Sequence, residues 1–371
     1  MECIDELIKK MTAQCARVGA KLLFATREGK YVELPIPDLP SFWTNGFWPG
    51  TLWQMYQVTG DELFKTTAEE IEERLDEALH RFVGLYHDVG FMYSLSAVAN
   101  YRITGNIESK RRGLHAASLL AGRFNLAGEF IRAWNDGTYG ETDVRGYMII
   151  DSLMNLPLLY WASEVTNDPR FKQVAMKHAD TCIKHIVRPD GSCRHIVNFD
   201  SETGEFIEAL AGQGYSCDSA WSRGMGWAVY GFALSYKYTG ETRYLDVAKR
   251  CANFAIAQLA ARNWVPVLDF FAPNEPARLD SSAGVLLACG IHEISQLVPE
   301  LERFVYEESA KKLTESCVSH YANWDSNVDG ALLMSGLQYH NDMLADTPVI
   351  YGDYFLTEAV LRLCGKDTFI W

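Results

Sequence analysis

Four stretches of the 371-residue chain carry the same punctuation: "YQVTGDELF" (56–64), "YRITGNIES" (101–109), "SEVTNDPRF" (163–171) and "YKYTGETRY" (236–244). In each, Thr is followed by Gly or Asn, then by an acidic or polar residue and a fresh amphipathic run. Gly or Asn supplies the left-handed residue that ends a helix, and Asp, Asn or Thr caps the next one. Weaker versions at "SQLVPELERF" (295–304) and "LCGKDTF" (363–369) bring the marks to six. A chain punctuated in this way is a series of helical hairpins.

Between the marks the sequence predicts twelve helices. Those leading into each mark, at 46–58, 91–102, 148–165, 222–237, 281–296 and 351–364, are apolar and aromatic. The alternate ones, at 4–20, 61–84, 106–123, 168–187, 241–260 and 299–320, carry charge on one face, as in "DELFKTTAEEIEERLDEALHRF". Buried helices alternating with half-exposed ones are what two concentric rings require. The expected fold is all-α, a closed (α/α)6 barrel of six helical hairpins in a single domain over 1–371. An open α-solenoid is the other arrangement of such hairpins, but its repeats would have a tighter period. Within "VRPDGSCRHIVNFDSETGEFIE" (187–208), turns at Asp190-Gly191 and Thr203-Gly204 separate alternating residues and read as short β-hairpins in a loop.

Composition narrows the function. A net charge of −14 argues against nucleic acid as a partner, which would want a basic stripe. No run of about eighteen apolar residues occurs, so no membrane span is expected. The opening "MECIDELIKKMTAQCARVGAK" reads as an amphipathic helix and not a secretion signal. Nine cysteines without a C-x-x-C pair suit reduced thiols in the cytoplasm. There is no H-x-x-x-H, P-loop, G-x-S-x-G or dinucleotide fingerprint, so neither a metal nor another cofactor is expected. Oligomeric state leaves no mark in the sequence.

In such a barrel the inner helices run the same way, and their N-terminal ends share one mouth. There the sequence places Trp43, Asp88, Asp151, Arg223, Trp227, Asp280 and Asp353. "RGYMIIDSLMNLPLLYWAS" (145–163) reads as one buried helix with Asp151 inside it and no basic residue nearer than Arg145. Such a carboxyl tends to keep its proton, and Asp is poor in a helix interior. Pairing with Arg145 or Arg223 would be the structural explanation; the preferred one is a general acid poised near cellular pH. Asp280 and Asp353 adjoin helix starts and read as caps. Asp88 fits a cap or a catalyst equally well. His195, taken alone, reads as a hydrogen-bonded structural residue. Carboxylates with aromatic faces and one Arg point to carbohydrate chemistry, the Arg suiting a uronate carboxylate.

Taken together, "SFWTNGFWPGTLW", "HDVGFMY", "IIDSLMNLPLLYWAS", "DSAWSRGMGWAVYGF" and "YGDYFLTEA" resemble the unsaturated glucuronyl hydrolases of glycoside hydrolase family 88. The likeness runs from about residue 40 to the C-terminus, in the family's order. It implies an (α/α)6 barrel that needs no metal and releases a Δ4,5-unsaturated uronate from oligosaccharides left by polysaccharide lyases. It implies that Asp88 and Asp151 are the two essential carboxylates. Trp43, Trp134 and Trp227 match aromatic positions framing the sugar, and His195, Gln213 and Arg223 match polar residues of the site. His195 thereby moves from structural to site residue. Met225 stands where a polar residue such as Gln is expected. The implied chemistry is hydration of an enol ether, with a protonated Asp151 giving its proton to C4 and an ionised Asp88 stabilising the cation. Arg223 would meet the substrate carboxylate.

An unsaturated rhamnogalacturonyl hydrolase acting on pectin fragments would share the fold, but that family depends chiefly on one of the two acids. A sugar epimerase would show several His at the inner-helix mouths, where only His292 lies on an inner helix, well along it. A glycan-binding protein would not need Asp151. The late loop "YHNDMLADTPVIYGDYF" contains no Lys or Arg, which favours unsulfated or lightly sulfated substrates.

Overall fold

The threonines of the four strong marks are hinges. Thr59, Thr104, Thr166 and Thr239 each donate the hydroxyl to the carbonyl four residues back, at 2.7, 2.9, 2.6 and 2.6 Å. At three of the marks the same oxygen accepts the N–H of the residue two further on: Asp61, Asn106 and Glu241. Between them Gly60, Gly105 and Gly240 take φ of 68°, 77° and 72°, and Asn167 takes 55°, the left-handed conformation that stops a helix. Asp61, Asn106 and Asp168 then accept first-turn N–H groups of the next helix.

In the computed structural model, which describes residues 2–33, 39–82, 84–138, 140–366 and 368–371, the hairpins close into a ring. The inner helices are Phe47–Thr59, a second that runs from Val89–Tyr93 through a π turn at Ser94–Val98 into Ala99–Thr104, then Leu156–Thr166, Ser222–Thr239, Ser281–Leu297 and Ile350–Leu363. Each packs on the next, and the last packs on the first. Glu2–Val18, Glu62–Arg81, Ile107–Ala121, Pro169–His185, Thr242–Ala260 and Glu300–Tyr321 form the outer layer. The fold is the expected α/α barrel. The weak mark at 363–369 includes Asp367, which lies outside the described residues. Among the described residues, no helix is long and apolar enough to cross a membrane.

Residues 145–163 are not one helix. Tyr147–Ile149 is a strand, Ile150–Met154 a 3-10 turn, and Leu156–Thr166 the helix. Two constraints break the apolar run. Tyr147–Ile149 pairs antiparallel with Ile196–Phe199, Ile149 facing Ile196. Pro157, lacking an N–H, belongs in the first turn of a helix, not its interior. Phe206–Leu210 completes a three-stranded sheet, and the turns at Gly191 and Gly204, with φ of 90° and 75°, lie where the sequence marks them. This sheet forms part of the barrel's mouth.

The lumen is filled, not open. Phe47, Phe91, Trp227 and Phe355, from four inner helices, meet with ring centroids 5.1–5.9 Å apart. The C-terminal Trp371 stacks on Phe355 from below. These rings are fully buried.

Candidate active site

Above the aromatic plug lies a cavity of about 600 Å³. Seven of the eight residues singled out from the sequence line it: Trp43, Asp88, Trp134, Asp151, His195, Gln213 and Arg223. Trp227 does not. It follows Arg223 by four residues on the same helix, so it sits one turn deeper, against Phe91 and Phe355. It is a core residue, and its expected contact with the sugar is corrected accordingly. Asp280 accepts the Ala283 N–H as a cap. Asp353 is fully buried and holds the N–H groups of Ala331 and Leu332 at 2.7 and 3.1 Å, with Gln14 and Tyr31 on its other oxygen; it anchors a loop.

Asp151 occupies the first turn after the strand, not a helix interior. Ser152 pins that turn by bonding Ile149 O and His178 Nε2. Because His178 Nδ1 accepts the Ile131 N–H at 2.8 Å, Nε2 carries its hydrogen toward Ser152. The Asp151 side chain keeps 21% of its exposure and lines the cavity, yet Oδ1 is buried without a hydrogen-bond partner. Burial pushes the carboxyl up to about 7, while the Arg223 charge pulls the other way.

His195 faces it, Nε2 lying 3.9 Å from Asp151 Oδ1. The Gln213 backbone N–H donates to His195 Nδ1 at 2.8 Å, shorter than the 3.3 Å between Nδ1 and the Ala211 carbonyl, which favours the neutral tautomer with its hydrogen on Nε2. Burial holds the imidazole down, to about 3. The site therefore has a neutral donor here and no imidazolium.

Asp88 heads the helix that starts at Val89 but makes no capping bond, which settles its local reading against a cap. Asn155 Nδ2 donates to its Oδ1 at 2.9 Å, and His87 Nε2 stands 3.3 Å from the same oxygen. Burial and the neighbouring Asp151 push Asp88 up to about 8; Asn155 and Arg123 oppose them. Two interacting carboxyls with such values share a proton near neutrality. Burial and mutual repulsion draw the shared proton toward Asp88; hydrogen bonding pulls the other way. Asn155 donates to Asp88 and favours its charged form, whereas Asp151 has only its own backbone N–H to do so and no partner on Oδ1.

Arg223 is already engaged. Nη1 holds Asp280 and the Gly336 carbonyl, and Nη2 holds Leu337 O at 2.8 Å and Gln213 Oε1 at 3.4 Å. The guanidinium lies between the Trp221 and Tyr351 rings, 4.6 and 5.2 Å from their centroids. A buried cation needs such partners: Asp280 balances its charge, while Arg223 still lines the cavity. Sequence reasoning missed His87 and Asn155. Their signals were adjacency to Asp88 and a further polar residue in the apolar run, four after Asp151. Among the described residues no three His, Cys, Asp or Glu side chains group as metal ligands.

The model of Glycosyl Hydrolase Family 88 matches residues 17–357. The chain belongs to that family. It is 38% identical over 336 residues to the unsaturated glucuronyl hydrolase of Bacillus sp. (strain GL1), covering 89% of this chain and 88% of the relative. It is 33% identical over 343 residues to the unsaturated chondroitin disaccharide hydrolase of Streptococcus pyogenes serotype M1, covering 91% and 84%. The crystal structure of the Bacillus sp. GL1 unsaturated glucuronyl hydrolase, described as responsible for the degradation of glycosaminoglycan, matches with a TM-score of 0.90 and 34% identity, covering 97% of this chain and 95% of that one. This family 88 chain is a glycoside hydrolase of the unsaturated glucuronyl hydrolase type.

Proposed function

We propose that the enzyme, acting as one catalytic unit, removes a Δ4,5-unsaturated uronate from the non-reducing end of glycosaminoglycan-type oligosaccharides produced by a polysaccharide lyase. The observation that carries this reading is one cavity lined by two carboxyls in unlike surroundings, Asp151 Oδ1 without a partner and Asp88 Oδ1 held by Asn155. The relatives named above act on substrates of this kind by their descriptions.

Asp151 gives its proton to C4 of the enol ether, and positive charge develops at C5 and the ring oxygen. Ionised Asp88 stabilises that charge. Water adds its oxygen to C5 and returns a proton to the carboxylate pair. The resulting hemiketal opens to a C5 ketone, and collapse at C1 expels the remaining saccharide as an alcohol. His195 Nε2–H steadies the Asp151 carboxylate after proton transfer. Trp43 and Trp134, both half-buried on the cavity wall, offer ring faces to the sugar. The 337–338 side of the cavity presents Leu337 and Gln338, which supports unsulfated or lightly sulfated substrates. Nine free cysteines support a reducing, cytoplasmic setting.

The test is a panel of unsaturated disaccharides varying in linkage and sulfation, with an unsaturated rhamnogalacturonan disaccharide included. Loss of the ultraviolet absorbance of the conjugated double bond is expected on the unsulfated glucuronyl members. An unchanged absorbance across them, or turnover of the rhamnogalacturonan member alone, defeats the reading.

A further inference from the structure

Asn155 follows Asp151 by four residues and ends the same turn, its N–H bonding Ser152 O at 3.0 Å. Its side chain is fully buried and bridges two segments. Oδ1 accepts the Phe91 N–H at 2.7 Å. That bond fixes the amide, because the nitrogen must then face the other way, where it donates to Asp88 Oδ1. The approach depends on Gly90: a Cβ there would lie 2.4 Å from Asn155 Cβ. One short turn thus carries both Asp151 and the donor that grips Asp88.

We propose that Asn155 is a positioning residue that aims the Asp88 carboxyl and, against the opposing effect of burial, favours its charged form when it shares one proton with Asp151, on the same turn as Asn155. This rests on the hydration reading above. Few charged or titratable groups face Asp88. His87 adjoins it on its own loop and is kept neutral by burial. Asp151 stands on the opposing turn, and its charge disfavours ionisation of Asp88. Arg123, beyond the Ile107–Ala121 helix, adds a favourable charge, but its guanidinium is bound to the carbonyls of Arg132, Ala133 and Trp134 and to Asn135 Oδ1. Asn155 is the short, direct donor, and a donor to a carboxylate favours its charged form.

The experiment measures kcat and KM on an unsaturated glucuronyl disaccharide across pH for wild type, Asn155→Leu, which keeps the bulk without the donor, and Asn155→Ser, which restores a hydroxyl on a shorter stem. The acid limb of kcat is expected to move up by about one pH unit in Asn155→Leu, so that kcat on that limb falls about tenfold. KM should stay within about threefold of wild type, and Asn155→Ser should fall between. If Asn155→Leu does not fold, Asn155→Ala takes its place. An acid limb that stays put in a folded, active variant overturns the inference, as does movement of the alkaline limb instead, which would make Asp88 the acid. Wild type that fails on every unsaturated disaccharide defeats the functional reading itself, a separate outcome.

Discussion

His195 presents its Nε2 to Asp151 Oδ1 across 3.9 Å, and the Gln213 N–H on Nδ1, closer than the Ala211 carbonyl, favours a hydrogen on this face. The gap is long for a hydrogen bond in the protonated state of the acid. It suits a contact that tightens once Asp151 has lost its proton and carries charge.

That relationship sets a first expectation. His195→Ala should lower kcat on the order of a hundredfold, the usual effect of removing one donor from a developing charge, and leave the limbs of the pH–rate profile in place. His195 stays neutral down to about pH 3. A limb near the ordinary histidine value of about 6.5 that vanishes in the variant would show that an imidazolium acts instead.

The weakened acidities of Asp88 and Asp151 carry a stability consequence of definite sign. A carboxyl whose folded value lies above its unfolded one binds its proton more tightly when folded. Its favourable contribution is complete below about pH 4 and is lost as pH rises through about 7 and 8. Asp151→Asn, which cannot ionise, should abolish turnover yet raise stability at pH 8.5 relative to wild type. The gain should be on the order of 1–3 kcal/mol after screening by cavity water, and it should shrink to nothing at pH 4. Urea midpoints at the two pH values measure this; an equal effect at both would contradict it.

Asp280 should matter to folding more than its place beside the cavity suggests. Asp280→Ala leaves the Arg223 guanidinium buried without its counter-charge, a loss of about 3–5 kcal/mol. It also frees the Arg223 side chain that orders Gln213 and Leu337, so KM should rise in any protein that folds. Denaturant unfolding with steady-state kinetics reads both effects.

Two tryptophans should behave in opposite ways. Trp134→Ala, on the cavity wall, should raise KM with little change in the urea midpoint. Trp227→Ala, deep in the plug, should cost about 3–5 kcal/mol and leave the KM of the surviving folded fraction near wild type. A reversal of the two would put Trp227 back against the sugar.

The helical architecture was legible because its signals are local. A Thr that bonds backward and forward, followed by a left-handed Gly or Asn, needs no tertiary context, and Thr59, Thr104 and Thr239 do the same thing in three places. The segment around Asp151 was misread because a short apolar run has no period of its own. Pairing with Ile196–Phe199, nearly fifty residues on, makes Tyr147–Ile149 a strand, and nothing within 145–163 announces that partner. Seven site residues could be placed at the cavity by their chemistry and family likeness. Trp227 could not, because only the helix's depth in the ring separates it from Arg223. The engagement of Arg223 was equally hidden, since Gly336 and Leu337 reach it from more than a hundred residues away.

The rings of Phe47, Phe91, Trp227, Phe355 and Trp371 turn the barrel into a cul-de-sac. A polysaccharide cannot thread through it, so a chain end is what the acids can receive. The severed remainder must back out through the doorway by which it came before another end can enter. Catalysis on a long glycan is therefore a sequence of separate visits, and the enzyme's rate on such a polymer is tied to the number of ends rather than to the mass of sugar.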